Sequence, residues 1–151
     1  GFREAVKAAL PVRLPDDVDV LVVSPPALVV LKLIAWQDRH YQAPKKDALD
    51  LMLIGSNYLD LGNQNRLWDE FMGWTEEENF DTRRAGARML GVDIAAMLDD
   101  AGRDRLASIL AVQADEKSPG LLPQEMHPEN VDLARMLLQE MLLGLTGEKT
   151  K

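Results

Sequence analysis

The chain has 151 residues, 46% of them hydrophobic, a net charge of −8 and no cysteine. That length suits one domain with a core of its own. The missing cysteine excludes disulfides, thiol catalysis and thiolate metal sites, and the acidic balance excludes the basic footprint that duplex DNA or RNA requires. No apolar run approaches the roughly 20 residues of a membrane span, and the N-terminus has no signal-peptide pattern. The expectation is a cytoplasmic protein without membrane or duplex nucleic-acid partners.

In chain order, residues 5–14 read as a short extended segment ending at Pro15, and Pro15-Asp16-Asp17 as a turn. Residues 18–23 form a β-branched strand interrupted by Asp19. Ser24 can cap a helix over 26–39 whose first turn tolerates Pro25 and Pro26. Leu28, Leu31, Ile34 and Ala35 recur at helical spacing, and Val29, Leu33 and Trp36 make the helix apolar nearly all round. Residues 40–43 break it, and Pro44 opens a second helix to about Tyr58 with Asp47 in its first turn.

Residues 59–63 connect to a short helix over 64–72, and Gly73-Trp74-Thr75 breaks the chain again. A helix over 76–90 is expected to stop at Gly91. A short helix capped by Asp93 and another over 101–114 follow. The loop 117–120 and an irregular stretch over 121–126 precede a last helix from Pro128 to about Leu145 and a frayed tail. The fold class is therefore mainly α within α+β: an N-terminal β-hairpin followed by six to seven helices in one domain, residues 1–151. Two strands are too few for a stable sheet. The hairpin over 1–24 is thus expected to belong to a sheet whose other strands lie upstream. A start at Gly1-Phe2 without Met points the same way, to the C-terminal half of a longer protein.

Chemistry concentrates in residues 28–59. Lys32, Trp36 and Arg39 lie on one helical stripe. A lysine in an apolar helix needs a partner or water. Two readings stay open: Lys32 and Arg39 face a cleft and bind phosphate, or Lys32 pairs with a carboxylate of the next helix. Asp47 and Asp50 share a face at a step of three, with Lys46 one turn from Asp50. They can serve a cation or an acid–base pair, or Asp47 caps its helix while Asp50 pairs with Lys32 or Arg39. Leu31, Ile34, Leu51 and Ile54 are the expected core of these two helices.

Elsewhere the bland readings hold. His40 and His127 are surface loop residues. Arg83, Arg84 and Arg88 with Glu76, Glu77, Glu78 and Asp81 form a solvated, salt-bridged face. Leu133, Met136, Leu137, Met141 and Leu145 make a core or self-association stripe. No glycine-rich phosphate loop occurs.

The segments Leu31-Lys32-Leu33-Ile34-Ala35-Trp36-Gln37-Asp38-Arg39 and Lys46-Asp47-Ala48-Leu49-Asp50-Leu51, followed by Arg84 to Gly91, resemble the latter part of bacterial predicted nucleotidyltransferases. That group is related to the AbiEii-type toxins of abortive-infection and toxin–antitoxin systems. The resemblance implies an upstream catalytic core with a Gly-Ser turn, a D-x-D pair and a third carboxylate that bind Mg and a nucleoside triphosphate. Asp17-Val18-Asp19 has the D-x-D spacing but follows no glycine turn, so the core set is missing here. The resemblance implies no catalytic or metal residue in this chain. It offers Lys32, Arg39, Lys46, Asp47 and Asp50 as nucleotide-binding residues of a full-length protein, and a chain that is inert alone. Its implied partners are the upstream catalytic region, an antitoxin, or a second copy. The alternative is a non-enzymatic helical module that binds another protein through its acidic faces.

Overall fold

The structure is a computed structural model; it describes Arg3, Lys7 and residues 9–42, 45–118 and 120–147, except the side chain of Asp16. Its main-chain course is 72% helical, with a two-stranded antiparallel hairpin followed by seven α-helices among the described residues. Strand β1 (Leu10–Arg13) pairs with β2 (Asp19–Val22) across a 3-10 turn at Pro15–Asp17. The turn closes with Asp17 in the left-handed region, φ 57°, which Asp tolerates better than most residues. Lys7 has helical backbone, so the extended segment is shorter than 5–14; residues 5, 6 and 8 lie outside the described residues.

The register opposes Leu10 to Val22 and Val12 to Val20 on one face, and Pro11 to Leu21 and Arg13 to Asp19 on the other. Arg13 closes the second face with a bidentate pair to Asp19, at 2.9 and 3.1 Å. Apolar side chains therefore stand on both faces, and all but Val20 are largely exposed. Both faces of the pair thus present apolar surface to solvent.

Helix α1 (Pro25–Arg39) starts as its sequence demands: the Ser24 hydroxyl accepts from the Ala27 amide, and proline fills the first turn. Helix α2 (Lys46–Asn57) follows the turn at His40–Gln42; Pro44 lies outside the described residues. Helix α3 (Gln64–Asp69) and 3-10 turns at Leu59–Leu61 and Met72–Glu76 lead to α4 (Thr82–Met97). Helix α5 (Asp100–Ala114), the short α6 (Leu121–Met126) and α7 (Val131–Thr146) complete the array.

Three expected boundaries move. The carboxylate of Asp81 accepts from the Arg83 and Arg84 amides, so α4 begins at Thr82, and Glu76 to Glu78 precede it. Helix α4 then runs straight through Gly91 and absorbs the separate helix expected at Asp93. Residues 121–126 are helical, and the last helix starts at Val131, capped by Asn130.

The reason for continuity at Gly91 lies in its partner. Helices α4 and α7 make the most extensive contact in the fold. A Cβ on Gly91 would stand 2.1 Å from the Met141 carbonyl oxygen, and one on Gly144 would stand 1.9 Å from that of Arg88. The two glycines let the backbones touch, as small residues do where helices approach most closely. Around this crossing Met89, Leu90, Ile94, Leu137, Leu138 and Met141 are fully buried, with Leu106 and Leu110 of α5 and Leu122 and Met126 of α6 packed alongside. Helices α1 and α2 contribute Val29, Val30, Leu33, Trp36, Ala48 and Leu51. Of the four residues expected as the core of these two helices, Leu51 is fully buried, whereas Leu31, Ile34 and Ile54 are only partly buried. When a helix is apolar all round, periodicity does not say which side faces inward, and here the Leu33 side wins.

Candidate functional site

Lys32 leaves the middle of α1 toward the first turn of α2. Its ammonium lies 3.0 Å from Asp47 Oδ1 and 2.5 Å from Asp50 Oδ2. Arg39, two turns further along α1, donates from Nε and Nη2 to Asp47 Oδ2, both at 3.3 Å. One carboxylate thus holds two cations, one on each oxygen. Asp47 is 3% exposed, a burial tolerable for a carboxylate only because both oxygens are occupied by charged donors.

The helical period explains the assembly. Lys32 and Arg39 are seven residues apart, two turns on one stripe, and Asp47 and Asp50 are three apart at the start of α2. The break between the helices folds α2 back on α1 so that the stripes face. Lys45 has φ 80° there, a left-handed backbone that enters α2 directly without a side-chain cap. Asp47 therefore does not cap its helix as one sequence reading had it; its side chain is turned toward α1. Lys46, at the first position of α2, is exposed.

The two carboxylates, and Asp50 foremost, raise the Lys32 ammonium above the ordinary lysine range, more than burial lowers it. A raised folded value means that the pairing stabilises fully below the ordinary lysine pKa of about 10.4 and is lost as pH rises through the higher folded value. Removing Asp47 should leave Arg39 without its carboxylate and Lys32 with Asp50 alone. Asp47→Ala is expected to cost about 3 kcal/mol or more, and Asp50→Ala about 1, because Asp50 is much more exposed. Chemical denaturation of the double-mutant cycle Lys32→Met with Asp47→Asn, at neutral pH, should show coupling well above that with Asp50→Asn. Equal, small coupling in both cycles would refute the shared-carboxylate geometry as a stabilising feature.

The donor set does not fit a divalent cation. Asp47 and Asp50 converge on the Lys32 ammonium, which stands where a metal would need to be. Among the described residues no group of three or more His, Asp or Glu side chains converges as a metal site. The D-x-D at Asp17 and Asp19 faces Arg13 on the hairpin.

Several polar ties escape a linear reading. Trp36, 2% exposed, donates its indole N–H to Glu125 of α6 at 2.6 Å and stacks on His40 at 4.6 Å between centroids. This locks the end of α1 that carries Arg39. Tyr58 donates to Asp93 at 2.5 Å, while Arg66 grips the same carboxylate with two bonds of 2.8 Å. Burial, and then the Asp93 charge, push the Tyr58 hydroxyl well above the ordinary phenol range. Glu140 of α7, 1% exposed on its side chain, accepts from Arg84 and Arg88 at 2.6 and 2.7 Å. Arg84 and Arg88 thus anchor a buried carboxylate rather than standing on a solvated face, whereas Arg83 stays exposed beside Asp81 and Arg88 also pairs with Glu77, as expected. One sequence signal pointed there: Glu140 is a lone acid inside the apolar stripe from Leu137 to Leu145, as Lys32 is a lone base inside α1.

No helix among the described residues is long and apolar enough to cross a membrane. A family model described as nucleotidyl transferase AbiEii toxin, type IV toxin–antitoxin system, matches residues 1–138. The chain belongs to that family. No curated protein and no solved structure matches it.

Proposed function

We propose that this member of the AbiEii nucleotidyl transferase toxin family forms the helical wall of a nucleoside triphosphate cleft. The catalytic carboxylates come from an upstream region of the same protein, and the chain alone transfers nothing. The observation that carries this reading is the buried Asp47 clamp at the α1–α2 junction. It fixes Arg39 while leaving that side chain 55% exposed, so the remaining guanidinium N–H groups are oriented and open to an incoming anion. Lys46 stands exposed at the first position of the adjoining helix and adds a second, mobile cation. Lys32 is the less direct participant. With two carboxylates on its ammonium it acts as the strut that holds Asp47 and Asp50 in place, and Arg39 and Lys46 meet the phosphates.

Positioned cations are what phosphoryl and nucleotidyl transfer asks of a protein, since most of the catalysis is charge stabilisation and alignment. The metal for that chemistry must be held by carboxylates other than Asp47 and Asp50, because the Lys32 ammonium already claims both. Incubating the isolated chain with labelled nucleoside triphosphates, Mg²⁺ and RNA or protein acceptors should give no transfer. In the full-length protein Arg39→Met should raise KM for the triphosphate about tenfold or more, in keeping with one lost charge-assisted contact, and should also lower thermal stability because Asp47 Oδ2 loses its donor; Arg39→Lys should restore stability more fully than KM. Chelator-sensitive transfer by the isolated chain, or an Arg39→Met protein with wild-type KM, would overturn the proposal.

A further inference from the structure

On the far side of the molecule, residues 68–80 have an unusual composition. They hold four of the chain's eight aromatic residues and five carboxylates, Asp69, Glu70, Glu76, Glu77 and Glu78, with no lysine or arginine. This segment forms one wall of an open cleft of about 830 Å³; the opposite wall is α4 at Arg88 and Val92, and the floor is the end of α7. Phe71 and Trp74 stack on each other at 4.3 Å, and the Arg88 guanidinium lies 5.0 Å from the Trp74 centroid. The floor is low because Gly144 sits at the helix crossing and Gly147, φ 68°, ends α7.

The charges decide what this cleft can take. Arg88 is held by Glu77 at 2.7 and 3.1 Å and by Glu140, and its side chain is only 14% exposed, so it offers little to an anion. Glu70 and Glu77 each remain about half exposed at the rim beside their arginine partners, so negative charge faces the cleft mouth. The last carbonyls of α7 add the negative end of a helix dipole. Five exposed acids repel a phosphate polymer. An aliphatic stem ending in a cation suits the site: the stem lies along the edges of the aromatic pair, over which Arg66 and Arg88 already stand, and the charge reaches the rim. Met72, between two lining residues in sequence, is 59% exposed and adds apolar surface to the same segment.

We propose that this cleft is a docking site for a basic polypeptide segment of another protein, in which arginine or lysine alternates with apolar residues. It shares no residue with the Lys32 cluster and stands independently of the triphosphate reading.

The test uses the whole chain and a fluorescein-labelled synthetic peptide of alternating Arg and Leu, followed by anisotropy. Two variants probe different properties. Gly73 lines the cleft and a Cβ there meets nothing within 4 Å, so Gly73→Trp places bulk beside the cleft from a position whose backbone surroundings accept a side chain. Glu70→Gln with Glu76→Gln and Glu78→Gln removes the rim charge at Glu70 and two exposed charges of the same segment, and leaves the Glu77–Arg88 tie intact. Circular dichroism confirms that each folds.

The wild type should bind the peptide at least about tenfold more tightly than a Glu–Leu peptide of equal length, and less tightly as salt rises. Each variant should weaken binding about fivefold or more, as expected when an anchor pocket or its charge is lost, and Lys32→Met should not. Equal affinity for wild type and both variants would overturn the proposal. So would spermine competing as well as the peptide, single-stranded RNA binding that Gly73→Trp abolishes, or self-association that Gly73→Trp abolishes.

Discussion

Gly144→Ala is expected to be among the most damaging single changes in this chain, although it adds one methyl group. The new Cβ would fall 1.9 Å from the Arg88 carbonyl oxygen and 2.9 Å from the Val92 amide nitrogen. Those atoms belong to a helix backbone and cannot swing aside as a side-chain tip can, so α4 and α7 must separate along their whole contact. The cost should reach about 3 kcal/mol or more, at or above the upper end for ordinary overpacking. For a domain stable by roughly 5 to 15 kcal/mol, that is a large share of the whole. Gly91→Ala, on the facing helix, should behave alike, and the double variant should cost less than the sum of the two because the separation is made once. Gly55 supplies the control. It lies inside α2 with the nearest foreign atom, Leu137 Cδ1, at 3.8 Å from an added Cβ. Gly55→Ala should therefore be neutral or stabilise by up to about 1 kcal/mol through helix propensity. Urea unfolding midpoints for the three single variants decide the matter. A Gly144→Ala midpoint equal to that of the wild type would show that the crossing is looser than described.

Glu140→Gln is the second substitution with a large expected effect. The carboxylate is buried on α7 and is the meeting point of two guanidinium groups from α4. Gln keeps the shape and removes the charge, leaving Arg84 and Arg88 close together with one carboxylate, Glu77, between them. Breaking a buried pair by removing one partner costs about 3 to 5 kcal/mol; the partial exposure of Arg84 places this case near the lower figure. The cycle Glu140→Gln with Arg88→Met should show coupling of about 2 kcal/mol, within the range for residues sharing one network. A stability change below about 0.5 kcal/mol for Glu140→Gln, the range of an ordinary surface substitution, would remove the network from the account of what holds α4 to α7.

The Lys32 cluster was legible because everything it needs is local. Two residues on one helical stripe and two at a step of three on the next helix will face each other whenever a short break joins the helices. A lone cation in an apolar helix announces that a partner exists. The α4 start at Thr82 was written in Asp81 as a cap, but three consecutive glutamates with high helix propensity pointed to an earlier start. Gly91 was misread for a different reason. A glycine after a helical run looks like a stop, and its real role needs Gly144, more than fifty residues away. Glu125 on Trp36 and Asp93 between Tyr58 and Arg66 are long-range pairings of the same kind, which no period or cap encodes. Leu33 in place of Leu31 as the inward residue follows from tertiary packing alone. The family assignment rests on residues 1–138, while the cleft at residues 70–77 rests on its own geometry.

The hairpin has a practical consequence for anyone handling this chain. Among the described residues its two strands pair only with each other, which leaves the N–H and C=O groups of their outer edges without a strand partner, and Leu10, Leu21 and Val22 stand 53%, 68% and 45% exposed. Such an edge is a template for a strand from another molecule. The net charge of −8 keeps copies apart in dilute, low-salt buffer, and salt screens that repulsion within about 10 Å at 0.1 M. Concentrating the protein in salt should therefore turn a clear solution turbid through β1 and β2, while the helical body stays folded.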